Sequence, residues 1–159
     1  MEGFTTKKQP FTTVWKMHTA GNAQWYPAQV PGTVYTDLLR NGQMEDPFWK
    51  DNEYKALDLM EKDYEYETVF EGVEAQAGEK QWLRFEGLDT ICDVYLNEEK
   101  IGNTYNMHRT WEFDVTGKVK TGENALRVYF HSPLEYIKEA YEKQPTHGSE
   151  AVSYTHLRA

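Results

Sequence analysis

The 159 residues, 39% of them hydrophobic and 14% aromatic, suffice for one domain with a real core but fall short of a (β/α)8 barrel, which needs about 250 residues. The formal net charge is −9, and the stretch from Glu45 to Glu74, with eleven acidic residues against three lysines, carries most of it. Such a field repels polyanions, so nucleic acid and an anionic membrane surface are disfavoured as partners.

In chain order, "TTVWKMH" reads as a first strand centred on Val14. "TVYTDLLRNG" reads as a short helix, with Thr33 as N-cap, Val34, Leu38 and Tyr35 on its apolar side, and Gly42 as its stop. The acidic, proline-broken segment "MEDPFWKDNE" then presents Phe48 and Trp49 and is read as a loop. From Tyr64 onward the apolar period is two. "YEYETVF" sets Tyr64, Tyr66, Thr68 and Phe70 on one face. "QWLRFEG" follows, then "TICDVYLNEEKIG" with Cys92, Val94 and Leu96 alternating against Ile91, Asp93 and Tyr95 before a polar hairpin turn. "TWEFDVTG" and "ENALRVYFHSP" repeat the pattern, the first through Trp111, Phe113 and Val115, the second through Leu126, Val128 and Phe130. "SPLEYIKEAYEK" closes with a helix capped at Ser132 and Pro133, with Leu134, Ile137 and Tyr141 at helical spacing.

With no long helices between strands to make parallel crossovers, these elements predict an all-β antiparallel sandwich with a few short helices. Residues 1–150 are expected to form one domain. The remaining "AVSYTHLRA" (151–159) continues neither period and is read as an unstructured tail, foreign to the domain and excluded from fold reasoning. No apolar run reaches the roughly 18 residues of a membrane span, and the N-terminus lacks the apolar region of a secretory signal, so a cytoplasmic protein is expected. The single Cys92 excludes an internal disulfide, and its place in an alternating strand makes it a core thiol.

Chemical motifs are absent: no Gly-rich phosphate loop, no Cys or His pair at metal spacing, and no Gly-x-Ser-x-Gly elbow. Neither a metal nor a cofactor is therefore expected. Twenty-six carboxylates guarantee pairs by chance, so their abundance decides nothing about glycosidic chemistry.

Three stretches, "QVPGTVYTDLLRNGQMEDPFWKDNE", "WLRFEGLDTICDVYLNEEKIGNTYNMHRTWEFDVTG" and "ENALRVYFHSPLEYIKEA", together resemble the N-terminal domain of β-mannosidases of glycoside hydrolase family 2. The resemblance runs from about Val14 to Ser149 and rests on the Pro-Gly-Thr-Val turn, the Asp-Pro-Phe-x-x-Asp-Asn-Glu segment and the Asn-Met-His-Arg loop in that order. It implies a jelly-roll sugar-binding domain packed on a barrel of the same chain, in a retaining enzyme that releases mannose from the non-reducing ends of β-mannosides or oligosaccharides. The family's two catalytic glutamates lie on that barrel and map onto no residue here, so this chain by itself is expected to be inactive.

The resemblance also implies that jelly-roll loops reach the rim of the barrel's pocket. Trp49, Asp51, Asn52 and Glu53 combine a flat aromatic face with amide and carboxylate groups suited to sugar hydroxyls. His108 and Arg109, on a turn between strands, form the second candidate. The competing reading is structural: Phe48 and Trp49 plug the sandwich's end, Asp51, Asn52 and Glu53 satisfy loop backbone, and Arg109 holds an inter-loop or inter-domain ion pair. The rim reading predicts that Asp51, Asn52, Glu53, His108 and Arg109 gather at one end of the sandwich, on the face a barrel would cover. A freestanding carbohydrate-binding module and the same domain of a β-galactosidase or β-glucuronidase are the alternatives.

Overall fold

The computed structural model describes residues 6–145. The strands are β1 (Trp15–Thr19), β2 (Tyr26–Ala28), β3 (Tyr64–Gly72), β4 (Trp82–Phe85), β5 (Ile91–Leu96), β6 (Glu99–Tyr105), β7 (Trp111–Asp114) and β8 (Gly122–Phe130). The helices are α1 (Val34–Arg40), α2 (Asn52–Met60) and α3 (Pro133–Lys143). One sheet has the order β2-β1-β3-β8-β5-β6, β4 and β7 pair separately, and every pairing is antiparallel. This is the jelly-roll sandwich that the strand periods and the resemblance foretell.

Alternation builds the core. Tyr64, Tyr66 and Thr68 of β3, Cys92, Val94 and Leu96 of β5, and Leu126 and Val128 of β8 are all buried, while the residues between them lie on the other face. The two layers approach closely where β6 crosses Phe113: a Cβ at Gly102 would overlap that ring, so only glycine fits there. The β5–β6 turn takes positive φ at Asn97 (49°) and Glu98 (68°), a two-residue geometry that matches the sheet's twist. Asn97 then ties this turn to β8, accepting from the Ala125 amide at 3.0 Å and donating to the Asn124 side chain at 2.9 Å.

Both predicted caps are present. Thr33 and Thr36 form a reciprocal capping box at the start of α1, and Ser132 caps α3 ahead of Pro133. α1 is fastened to the sheet by Asp37, which is buried and accepts from the Tyr66 hydroxyl at 3.0 Å.

Two expectations are corrected. The first strand starts at Trp15, with Trp15 and Met17 inward, and Val14 is 88% exposed rather than central. The segment read as a loop continues into α2, because Asn52–Met60 is rich in helix formers and buries Ala56 against the core while its charged residues face outward. The three-residue strand β2 emerges only through its pairing with β1, whereas β6 returns from the expected hairpin turn. The expected tail, 151–159, lies outside the described residues.

Candidate functional site

The first candidate segment is the approach to α2. Phe48 is 91% and Trp49 65% exposed, so neither plugs the sandwich. The turn beneath them is braced locally: Asp46 accepts from the Phe48 amide at 2.9 Å through its side chain, and its carbonyl accepts from the Asn52 side chain at 3.1 Å. Asn52 thus satisfies loop backbone. Asp51 stands at the N-cap without a side-chain cap bond, and Glu53 lies exposed in the first turn, where a carboxylate suits the helix dipole.

The second candidate is the β6–β7 loop. The Asn106 side chain accepts from the His108 amide at 2.8 Å, and its carbonyl accepts from the Trp111 indole at 2.9 Å, which fixes the turn. Both His108 and Arg109 are exposed. The Arg109 guanidinium lies 4.2 Å from the centre of the Trp111 ring, and among the described residues no carboxylate pairs with it. Within the described residues Arg109 thus makes a cation–π contact in place of an inter-loop ion pair.

Strand register relates the two segments. Ile91 faces Tyr105, Cys92 faces Phe130, and Phe130 faces Tyr64, so the loop after β6 leaves from the end of the sheet at which α2 delivers the chain into β3. β3 and β6 stand three positions apart in that sheet, about 14 Å. Among the described residues no hydrogen bond, ion pair or ring contact joins residues 49–53 to His108 or Arg109. Register thus places the last turn of α2 at that end, whereas residues 49–53 lie at the start of the helix, about 13 Å along its axis.

Sequence reasoning did not single out the outer face of the large sheet, which carries a chain of polar contacts. Asp93 accepts from Lys100 at 2.7 Å and lies 3.1 Å from His131. Burial pushes the Asp93 carboxyl up, but the hydrogen bonds from Lys100 and His131 outweigh it and hold the group below the ordinary carboxylate value. Tyr129 donates to Asp63 at 2.7 Å, and desolvation first, then that carboxylate, pushes its phenol up to about 12. Arg127 lies 3.3 Å from Glu65 and stacks 4.1 Å from the Tyr95 ring. His18, stacked on Trp25 at 3.8 Å, completes the row. These carboxylates are committed to ion pairs and hydrogen bonds. The signal for this face was legible as the outward positions of β5 and β8, but only the register shows which of them meet.

Among the described residues no group of three His, Cys, Asp or Glu side chains could hold a metal ion, and no helix is long and apolar enough to cross a membrane. Cys92 is buried, and desolvation pushes its thiol up to about 12, as befits a core residue.

The sequence profile of the glycosyl hydrolase 2 galactose-binding domain-like family matches residues 15–159. The chain belongs to that family. Among its relatives, bovine β-mannosidase is 33% identical over 144 residues, covering 89% of this chain and 16% of the bovine protein. β-Mannosidase B of Aspergillus terreus is likewise 33% identical, over 88% of this chain and 17% of its own length. The crystal structure of the β-D-mannosidase from Dictyoglomus thermophilum superposes with a TM-score of 0.77 at 34% identity, over 86% of this chain and 17% of that one. This member of the galactose-binding domain-like family therefore spans about one-sixth of the length of the relatives it matches.

Proposed function

We propose that this chain is the jelly-roll domain of a retaining β-mannosidase, serving a catalytic barrel that holds the glutamate acid/base and the glutamate nucleophile. The observation that carries the reading is the likeness to the Dictyoglomus enzyme, 34% identical with a TM-score of 0.77 across 86% of the chain. The substrate on this reading is a terminal β-mannoside or oligosaccharide. Trp49, Asp51, Asn52, Glu53, His108 and Arg109 supply the side of the domain that faces the barrel's rim, supported by the exposure of all but Asn52, which is half-buried. A reducing, cytoplasmic setting accords with one buried free thiol.

A domain exchange tests the reading. The corresponding domain of the Dictyoglomus β-mannosidase is replaced by this chain, and hydrolysis of a chromogenic β-mannoside is measured beside the chain alone. The chimera is expected to turn over and the chain alone is not. Alanine at Trp49 or Arg109 in the chimera should raise KM more than it lowers kcat. A folded chimera without activity, or turnover by the chain alone, overturns the proposal.

A further inference from the structure

Asn41 and Gly42 form the one Asn-Gly pair among the seven asparagines of the sequence. Next to glycine an asparagine amide is most open to attack, because no side chain shields the following backbone nitrogen. The reaction is intramolecular. The Gly42 nitrogen gives its proton to water or hydroxide and bonds to Asn41 Cγ, and ammonia leaves from that carbon with a proton taken back from solvent. Water then opens the succinimide ring at either carbonyl, giving aspartate or isoaspartate with no change of oxidation state. Because the pair closes α1, the fold decides when this chemistry can run.

In the native cap both reacting groups are committed. Gly42, with φ at 65°, sits in a Schellman turn: its amide donates to the Leu39 carbonyl at 3.1 Å, and the Gln43 amide donates to the Leu38 carbonyl at 2.8 Å. The Asn41 side-chain nitrogen donates to the Asp37 carbonyl at 2.7 Å and to the Pro27 carbonyl at 2.9 Å, which occupies both of its hydrogens and ties α1 to β2. Ring closure needs Asn41 Cβ and the Gly42 nitrogen eclipsed about the Cα–C bond, whereas ψ of Asn41 is 5°, about a third of a turn away. Attack therefore requires the last turn of α1 to open and these bonds to break together. Such opening is local: Leu39, Arg40 and Gly42 are exposed, and nothing lies within 4 Å of the place a Gly42 Cβ would take.

Either product damages the cap. An aspartate carboxylate cannot donate to the two carbonyls, and it sets an anion at the negative end of the α1 dipole. Isoaspartate adds a methylene to the backbone between positions 41 and 42, which puts both turn bonds out of register.

We propose that Asn41–Gly42 is a spontaneous modification site, closed by the α1 cap and opened by fraying of that helix, and that its conversion unfastens α1 from β2. The site needs neither sugar nor barrel, so it does not rest on the mannosidase reading.

Mass spectrometry of the full chain, aged at mildly alkaline pH with and without guanidinium chloride, tests it. In denaturant Asn41 is expected to convert faster than every other asparagine, and in the native chain its rate should fall at least about tenfold. Asn41→Asp should fold with an equilibrium constant about tenfold below the parent's, for two hydrogen bonds of modest net worth, and should speed amide exchange at Gly42 and Gln43. If Asn41→Asp does not fold, the partly converted parent carries the comparison, and its converted fraction should be proteolysed first at intermediate denaturant. Equal rates at Asn41 in native and denatured chain overturn the proposal. So does another asparagine converting first in denaturant, or a converted chain as stable as the parent.

Discussion

Asp37 is the fastening between α1 and the sheet, and its removal has a calculable consequence. The side chain is 1% exposed and accepts three hydrogen bonds, from the Tyr66 hydroxyl at 3.0 Å, the Gln29 amide at 3.1 Å and Arg40 at 3.3 Å. In Asp37→Ala the Arg40 guanidinium, half in solvent, rehydrates, and the Gln29 amide on its exposed turn does so in part. The Tyr66 hydroxyl is buried and has no such recourse. Losing a bond to a charged acceptor costs about 1.5–3 kcal/mol, and the partly stranded Gln29 amide adds up to about 1, for roughly 2–4 kcal/mol altogether. At roughly 3 °C per kcal/mol for a chain of this size, the melting temperature should fall by about 6–12 °C. Asp37→Asn keeps one acceptor oxygen and lets its amide donate to a rotated Tyr66 hydroxyl, so about 1 kcal/mol is expected. The assay is urea denaturation of Asp37→Ala, Tyr66→Phe and the double variant. The double variant should be more stable than additivity predicts by about 1.5–3 kcal/mol, since the phenylalanine ring leaves no hydroxyl to strand. A coupling under about 0.5 kcal/mol would refute the view that this buried bond holds α1.

Two further outcomes follow from the core thiol and the outer-face ion pairs. With its pKa pushed up to about 12 by burial, the Cys92 thiol should resist Ellman's reagent in the native chain and react stoichiometrically in urea; rapid native labelling would show that β5 opens locally. Asp93 has a folded pKa held below its ordinary 3.8, so its contribution to stability is present above about pH 4 and is lost as pH falls through the lower folded value. Asp93→Asn should therefore be less stable than the parent at about pH 6 to 7, and the gap should close in acid; a gap independent of pH would assign the loss to packing instead.

How much of this was legible in the residues depends on whether the cause is local. Alternation along β3, β5 and β8 and the caps at Thr33 and Ser132 could be read directly, because side-chain direction in a strand and the orphan amides of a helix start depend on neighbours within a few residues. The resemblance carried by the Pro-Gly-Thr-Val, Asp-Pro-Phe and Asn-Met-His-Arg segments supplied the family in the same way. α2 escaped because a proline and an acidic run mask a helix whose one deeply buried residue, Ala56, matters only once the core exists to receive it. The exposure of Phe48 and Trp49 was undecided for the same reason: an aromatic residue is a plug or a surface according to what lies opposite it. Nor could the sequence join Asp37 to Tyr66, twenty-nine residues apart, or set Asp93 against Asn103 and His131. Those meetings are settled by strand order and register. Composition and period determined that this chain makes a sandwich and which side chains face inward. Only the tertiary structure decided which outward residues become neighbours, because a slip of two residues in pairing changes every cross-strand contact while leaving the same side chains facing inward.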